Sequence, residues 1–143
     1  MNIKLTLLGT LAYTLVTFPI AIVWHLLLFE SQYQSFGYFE GEPSIVLGLM
    51  AIVIQGFVLS LLFPRVGFAG SGLLRGLKYS LLIGLFFWTS HVLALVAKQN
   101  IDGMILFVAM ESFYLLIQFG VFGLLIGLIY RNEIERQTGP ATQ

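Results

Sequence analysis

Cysteine is absent from this chain, which excludes disulfide relays, thiolate metal sites, iron–sulfur clusters and lipidation at cysteine. Charge is scarce as well. Only 10% of the residues are charged, against about 25% in soluble domains. So few charges cannot cover a water-facing surface. The net charge is zero, which leaves no basic face to neutralise phosphates and excludes nucleic acid as a partner. No glycine-rich loop opens a helix after a strand, so there is no nucleotide site. The serines have no base at a legible spacing, which argues against a serine hydrolase. The chain is expected not to be an enzyme.

What the chain does have is apolar length. It is 58% hydrophobic, with a mean hydropathy of +0.93, and its 143 residues make one domain. Four apolar runs stand out, at about Leu5–Phe29, Ser44–Phe63, Leu73–Ala97 and Gly103–Tyr130. Each is near the ~20 residues that span a bilayer core. Strands of a membrane barrel would be shorter and alternate in polarity. The first run is too long for a cleaved leader and is followed by no small-residue cleavage site. The expected fold is therefore all-α: a polytopic, four-helix transmembrane bundle over residues 1–130 with a tail over 131–143, and the lipid bilayer as its first partner.

The punctuation between the runs agrees. Glu30–Pro43 is polar, Pro64–Gly72 reads PRVGFAGSG, and Lys98–Asp102 reads KQNID, a tight hairpin. The tail starts as helix and ends disordered in TGPATQ. Tyr33, Phe36, Tyr38 and Phe39 place four aromatics in the first loop, which is expected to lie on the membrane interface. Basic residues set the orientation. Lys4, Arg65, Arg75, Lys78, Arg131 and Arg136 fall at the termini and the middle loop, and Lys98 alone falls in the other two loops. Six against one puts both termini in the cytoplasm of a multi-pass inner-membrane protein. Glu30, Arg75 and Lys78 are expected to snorkel to water.

Small and polar residues mark the inward face of a membrane helix. In the first helix Thr10, Thr14, Thr17, Ala21 and His25 fall within about 80° at 100° per residue. Gly48 and Gln55 share a face of the second, and Gly76, Ser80, Gly84 and His91 form a stripe on the third. Glu111 and Gln118 share a face of the fourth, with Tyr114 beside them. Pro19 is expected to loosen the first helix before His25. Gly120, Gly123 and Gly127 form a separate small-residue face. It suits packing against the first or second helix of the same chain, or contact with a second copy or partner subunit. The halves also resemble each other: His25 and then Ile54-Gln55 answers His91 and then Ile117-Gln118, which would make two repeated helical hairpins.

Ionisable residues inside membrane helices mark function by default. His25, His91 and Glu111 come from three helices and sit roughly 7–12 Å below one boundary at 1.5 Å per residue. Trp24, Trp88 and Tyr114 are close by, and Gln55 and Gln118 lie deeper. This cluster could fix helix packing, carry a proton or line a substrate path. It could instead hold a divalent metal, or a haem between two imidazoles, although no HxxxH, HxxE or CxxC supports a metal. The expected cofactor is none.

Three stretches carry a resemblance: Pro19-x-x-x-x-Trp24-His25-x-x-x-Phe29, the glycine-spaced third helix, and ESFYLLIQFGVFGLLIGLIYR in the fourth. With them the chain resembles a group of short, uncharacterised bacterial four-helix membrane proteins classed as a domain of unknown function. In that group a Trp-Tyr pair commonly stands where Trp24-His25 stands here, and a further Trp follows the position of Phe29. The resemblance implies a fold and no activity. The leading expectation is an accessory or structural subunit, or a small assembly of its own, acting by binding. The alternatives are a small transporter or channel with a His/Glu path, and a haem- or metal-binding redox component.

Overall fold

A segment in hydrocarbon must satisfy its own backbone groups, and only long helices do so alone. The computed structural model describes residues 2–38 and 42–138, with side chains up to Glu135. Phe39 and Glu40 of the first loop, the Arg136 side chain and residues 139–143 lie outside the described residues. Four helices have the length and hydropathy to cross a membrane: α1 (Ile3–Leu28), α3 (Ile45–Arg65), α4 (Gly72–Val96) and α5 (Met104–Ile129). Each bound falls within two residues of its expected place. Two short helices join them, α2 (Glu30–Ser35) after α1 and α6 (Arg131–Thr138) at the tail. No strand occurs among the described residues.

Local chemistry sets the helix ends. Ser44 Oγ caps α3 by accepting from the Leu47 amide. Pro64 tightens the last turn of α3 into a 3₁₀ turn. Gly103 takes a positive φ of 64° to start α5, a conformation that glycine adopts without strain.

α5 is the central helix. Over its most apolar window 44% of residues are buried, against 17% in each of the other three. α4 packs along α5, α3 packs along α1, and α1 meets α5, while α3 and α4 pack less closely. Tyr79 of α4 bridges that side, donating to the Leu59 carbonyl at 2.7 Å and packing on Phe63, and beyond this bridge, toward His91, the bundle is open between α3 and α4. The start of α1 and the α6 segment lie at one end, where Asn2 Nδ2 donates to Glu133 Oε2 at 3.2 Å. Lys4, Arg65, Arg75, Lys78 and Arg131 belong to this end by their places on the helices, and Lys98 to the other.

Close backbone approach explains both tight helix pairs. A methyl on Gly76 would land on the Gly123 carbonyl, and one on Gly72 would lie 2.7 Å from the Gly127 carbonyl. Gly123 faces Ser80 as well. The small-residue face of α5 therefore packs inside the chain, as one of the two expectations had it, but against α4 rather than the first or second helix. Gly120 stands apart from it, with nothing within 4 Å of an added methyl. A methyl on Gly84 would lie 3.3 Å from Phe119. On the other side, Gly9 meets Ser60 and Gly56 meets Tyr13.

Several expected faces are rotated. The buried residues of α1 are Thr6, Gly9, Tyr13 and Thr17, so its inward face centres on Tyr13. Thr10 and Thr14 are half-buried and return their hydroxyls to the Thr6 and Thr10 carbonyls, at 2.8 and 2.9 Å. Gly48 is exposed, because α3 has no buried residue before Gly56. Arg75 does not snorkel: it is buried and donates to the Val66 carbonyl, clamping the middle loop. Lys78 Nζ does the same to Ala69.

Candidate functional site

α1 and α4 both widen near the end opposite the termini. Val23–Leu28 and Trp88–Leu93 are π-helical, with Phe29 N–H donating to Trp24 O five residues back. One extra residue in a turn rotates the remainder of the helix, and such turns often occur at functional sites. Pro19 precedes the first π segment by one turn, as expected, but α4 widens with no proline, so Pro19 is not the general cause. Each π segment carries one tryptophan and one histidine, Trp24 with His25 and Trp88 with His91.

The two histidines meet on one carboxylate. Glu111 is fully buried on α5. Its Oε1 lies 2.9 Å from His25 Nε2, and its Oε2 lies 3.1 Å from His91 Nε2. A third partner comes from α2, whose Tyr33 hydroxyl donates to Glu111 Oε1 at 2.6 Å. Trp24 Nε1 donates to the same Tyr33 oxygen at 2.9 Å. The structure thus brings His25, His91 and Glu111 together, with Tyr33 as a fourth member.

Proton positions come from donor counting. His25 Nδ1 faces the Ala21 carbonyl at 3.0 Å. A carbonyl only accepts, so Nδ1 carries a proton. The contact from Nε2 to Glu111 then needs one further proton. Donor counting places it on the imidazole or on the carboxyl. His25 is 12% exposed and His91 41%, so His91 is the accessible member. Tyr33 and Tyr38 lie outside the spans. Burial first, and the nearby Glu111 second, raise both phenols well above the ordinary tyrosine range.

Tyr114 packs edge-on against the His25 ring at 4.7 Å. Gln55 and Gln118 are not in direct contact with the cluster. Tyr13 joins them, donating to Gln55 Oε1 at 3.2 Å and accepting from Gln118 Nε2 at 2.9 Å. Sequence reasoning misses Tyr13 and Tyr33 as site residues. A tyrosine inside an apolar run reads as core, and only its place on the Thr6–Thr17 face distinguishes Tyr13. Tyr33 reads as an interface aromatic, yet α2 folds it and Phe36 into the core.

His91 lines three cavities. One of about 450 Å³ leads past Ser90 to the exposed Lys98 and Gln99. One of about 280 Å³ runs deeper, to Gln55, Gln118 and Thr17. One of about 330 Å³ is mostly apolar and passes Phe18, Ile22 and Ile52. Beyond Tyr13 the core is filled by Phe119, Phe122 and Ile126. Among the described residues no group of three or more His, Cys, Asp or Glu side chains could hold a metal ion. The two Nε2 atoms face separate oxygens of one carboxylate. In comparisons with known proteins, no family model, no curated protein and no solved structure matches this chain.

Proposed function

We propose that this chain is a multi-pass inner-membrane protein that works by binding, at a site whose occupancy is linked to the proton held by His25, Glu111 and His91. The observation that carries this reading is the buried Glu111 carboxylate with an imidazole on each oxygen, one locked in its tautomer and the other facing cavities. Such a centre takes or gives one proton with little movement, because the donors are already in place. The filled core beyond Tyr13 favours binding over conduction, since a transport path would have to cross it. The Glu111 carboxylate between the imidazoles disfavours a haem or metal reading. The protein would act as an accessory subunit of a larger membrane complex or as a small assembly of its own. Membership in the group of short four-helix membrane proteins belongs to the same proposal.

Native mass spectrometry from mild detergent tests it. A co-purifying membrane protein, a second copy or a bound small molecule, reduced in Glu111→Gln, is the expected result. Recovery only as a bare monomer at every pH would refute it. Orientation has its own test, helped by the absence of native cysteine. A cysteine at Ser35 should react with an impermeant maleimide from outside the cell, and one at Ser71 only after lysis; the reverse pattern overturns the assignment of the termini to the cytoplasm.

A further inference from the structure

The open side of the bundle leads to a set of polar groups that the protein itself leaves unused. The cavity of about 280 Å³ between α3 and α4 is lined from all four long helices, by Thr17, Gln55, His91, Tyr114 and Gln118 among others. Thr17 is 3% exposed, and its Oγ1 has no hydrogen-bond partner. Tyr13 occupies only one end of each glutamine amide. Among the described residues the Gln55 Nε2 donor, the Gln118 Oε1 acceptor and the Tyr114 hydroxyl have no protein partner. His91 Nδ1 has none either, its Nε2 being held by Glu111. In hydrocarbon each unmatched polar group is costly, so five in one cavity mark a place that something polar fills.

The shape says what kind of molecule. The polar cavity shares Ile52, His91 and Tyr114 with the apolar one of about 330 Å³, whose wall is Phe18, Ile22, Leu26 and Ile45. Gly48 is on its wall, in the exposed first half of α3, and a methyl added there would meet nothing within 4 Å. The polar half holds no unpaired carboxylate or ammonium, so a charged head would find no counter-ion. Its free groups include both donors and acceptors. Its volume is that of roughly nine waters at about 30 Å³ each.

We propose that this groove binds a neutral amphiphile: a head with hydroxyl or amide groups among Thr17, Gln55, Gln118 and Tyr114, and an apolar tail along α1 and the outer half of α3. This names the ligand class of the binding site under Proposed function and rests on that reading for its link to the proton. His91 is the meeting point, since it lines the groove and bonds Glu111.

A photoreactive monoacylglycerol, with a diazirine and a terminal alkyne in its acyl chain, is the probe. The full chain is reconstituted in phosphatidylcholine liposomes and irradiated, and the adducts are mapped by mass spectrometry. Adducts are expected on Phe18–Leu26 of α1 and Ile45–Ile52 of α3, with suppression by unlabelled monoolein and not by octadecane. Thr17→Val with Gln55→Leu should lower this labelling roughly fivefold or more, as loss of one or two hydrogen bonds would. Gly48→Phe should block it without harming the fold, because nothing lies within 4 Å of the added carbon. Adducts spread evenly over the lipid-facing Leu81, Leu85 and Phe86, equal suppression by octadecane, or full labelling of Gly48→Phe would each overturn the proposal and leave the cavity to water. Labelling that persists unchanged in Glu111→Gln upholds the groove and refutes the proton link instead.

Discussion

Replacing Glu111 by glutamine should separate the two histidines energetically. The amide oxygen can still accept from Tyr33, and the amide nitrogen can donate to one imidazole only. His25 cannot adapt, because its Nδ1 proton is committed to the Ala21 carbonyl. Neutral His25 then turns a lone pair toward the amide oxygen, and protonated His25 loses its counter-charge. One charge-assisted hydrogen bond is lost at a site 12% exposed, worth about 1.5–3 kcal/mol. The His91 contact is 41% exposed and more screened, and is worth about 0.2–1 kcal/mol. Double-mutant cycles measure this directly. Glu111→Gln is combined with His25→Gln and, separately, with His91→Gln. Stability is read from detergent-micelle unfolding by SDS titration, followed by the fluorescence of Trp24, which bonds Tyr33. The Glu111–His25 coupling should exceed the Glu111–His91 coupling by about 0.5 kcal/mol or more, the gap between the two ranges. Equal couplings, or a Glu111→Gln protein as stable as the parent, would refute the proton assignment at His25.

Other substitutions test the frame around this centre. Gly76→Ala should destabilise by about 1–3 kcal/mol through forced separation of α4 and α5, whereas Gly120→Ala should be neutral because its methyl meets open space; thermal unfolding of the pair decides it, and equal melting would refute the contact. Tyr13→Phe removes the bond to each glutamine and should cost about 1–3 kcal/mol, with no change in the unfolding midpoint as the contrary result. Tyr33 has its phenol raised above 10.0 by burial and by Glu111. The docked state keeps the proton that a free tyrosine gives up, so docking of α2 is at full strength below the ordinary value of 10.0 and weakens as pH climbs past it. An ultraviolet difference titration of parent against Tyr33→Phe should show the Tyr33 step above pH 10.0, and a step at or below it would count against the α2 cap.

Helix number and span were legible because hydrocarbon imposes one requirement on every segment, about 20 apolar residues with no charge. Helix rotation was less legible. Small polar residues on a membrane helix can satisfy themselves, as Thr10 and Thr14 do on their own backbone, so a threonine stripe need not face a partner. The residue that does face inward there, Tyr13, carries no mark in an apolar run. His25, His91 and Glu111 were legible for the opposite reason: an imidazole or carboxylate has no cheap solution in lipid except another polar group. Tyr33 was not, because its role depends on α2 folding back, and six residues of polar sequence do not announce that.

The half-to-half likeness then bears on how the centre works. Glu111 lies seven residues before Gln118, and the residue seven before Gln55 is Gly48. The two π segments each bring one histidine, but only one half brings a carboxylate. A single carboxylate has two oxygens, and both are used, so the two histidines end up in unlike surroundings on one acid. α3 and α4 meet mainly through Tyr79, on Leu59 and Phe63, whereas α1 and α5 pack more extensively, which is the same asymmetry at the scale of helices. A glycine where an exact repeat would put a second glutamate brings neither charge nor side chain to the groove wall. The departure from symmetry thus accounts for both features that the proposals use: a single carboxylate between two imidazoles at Glu111, and a groove beside it lined by uncharged polar groups.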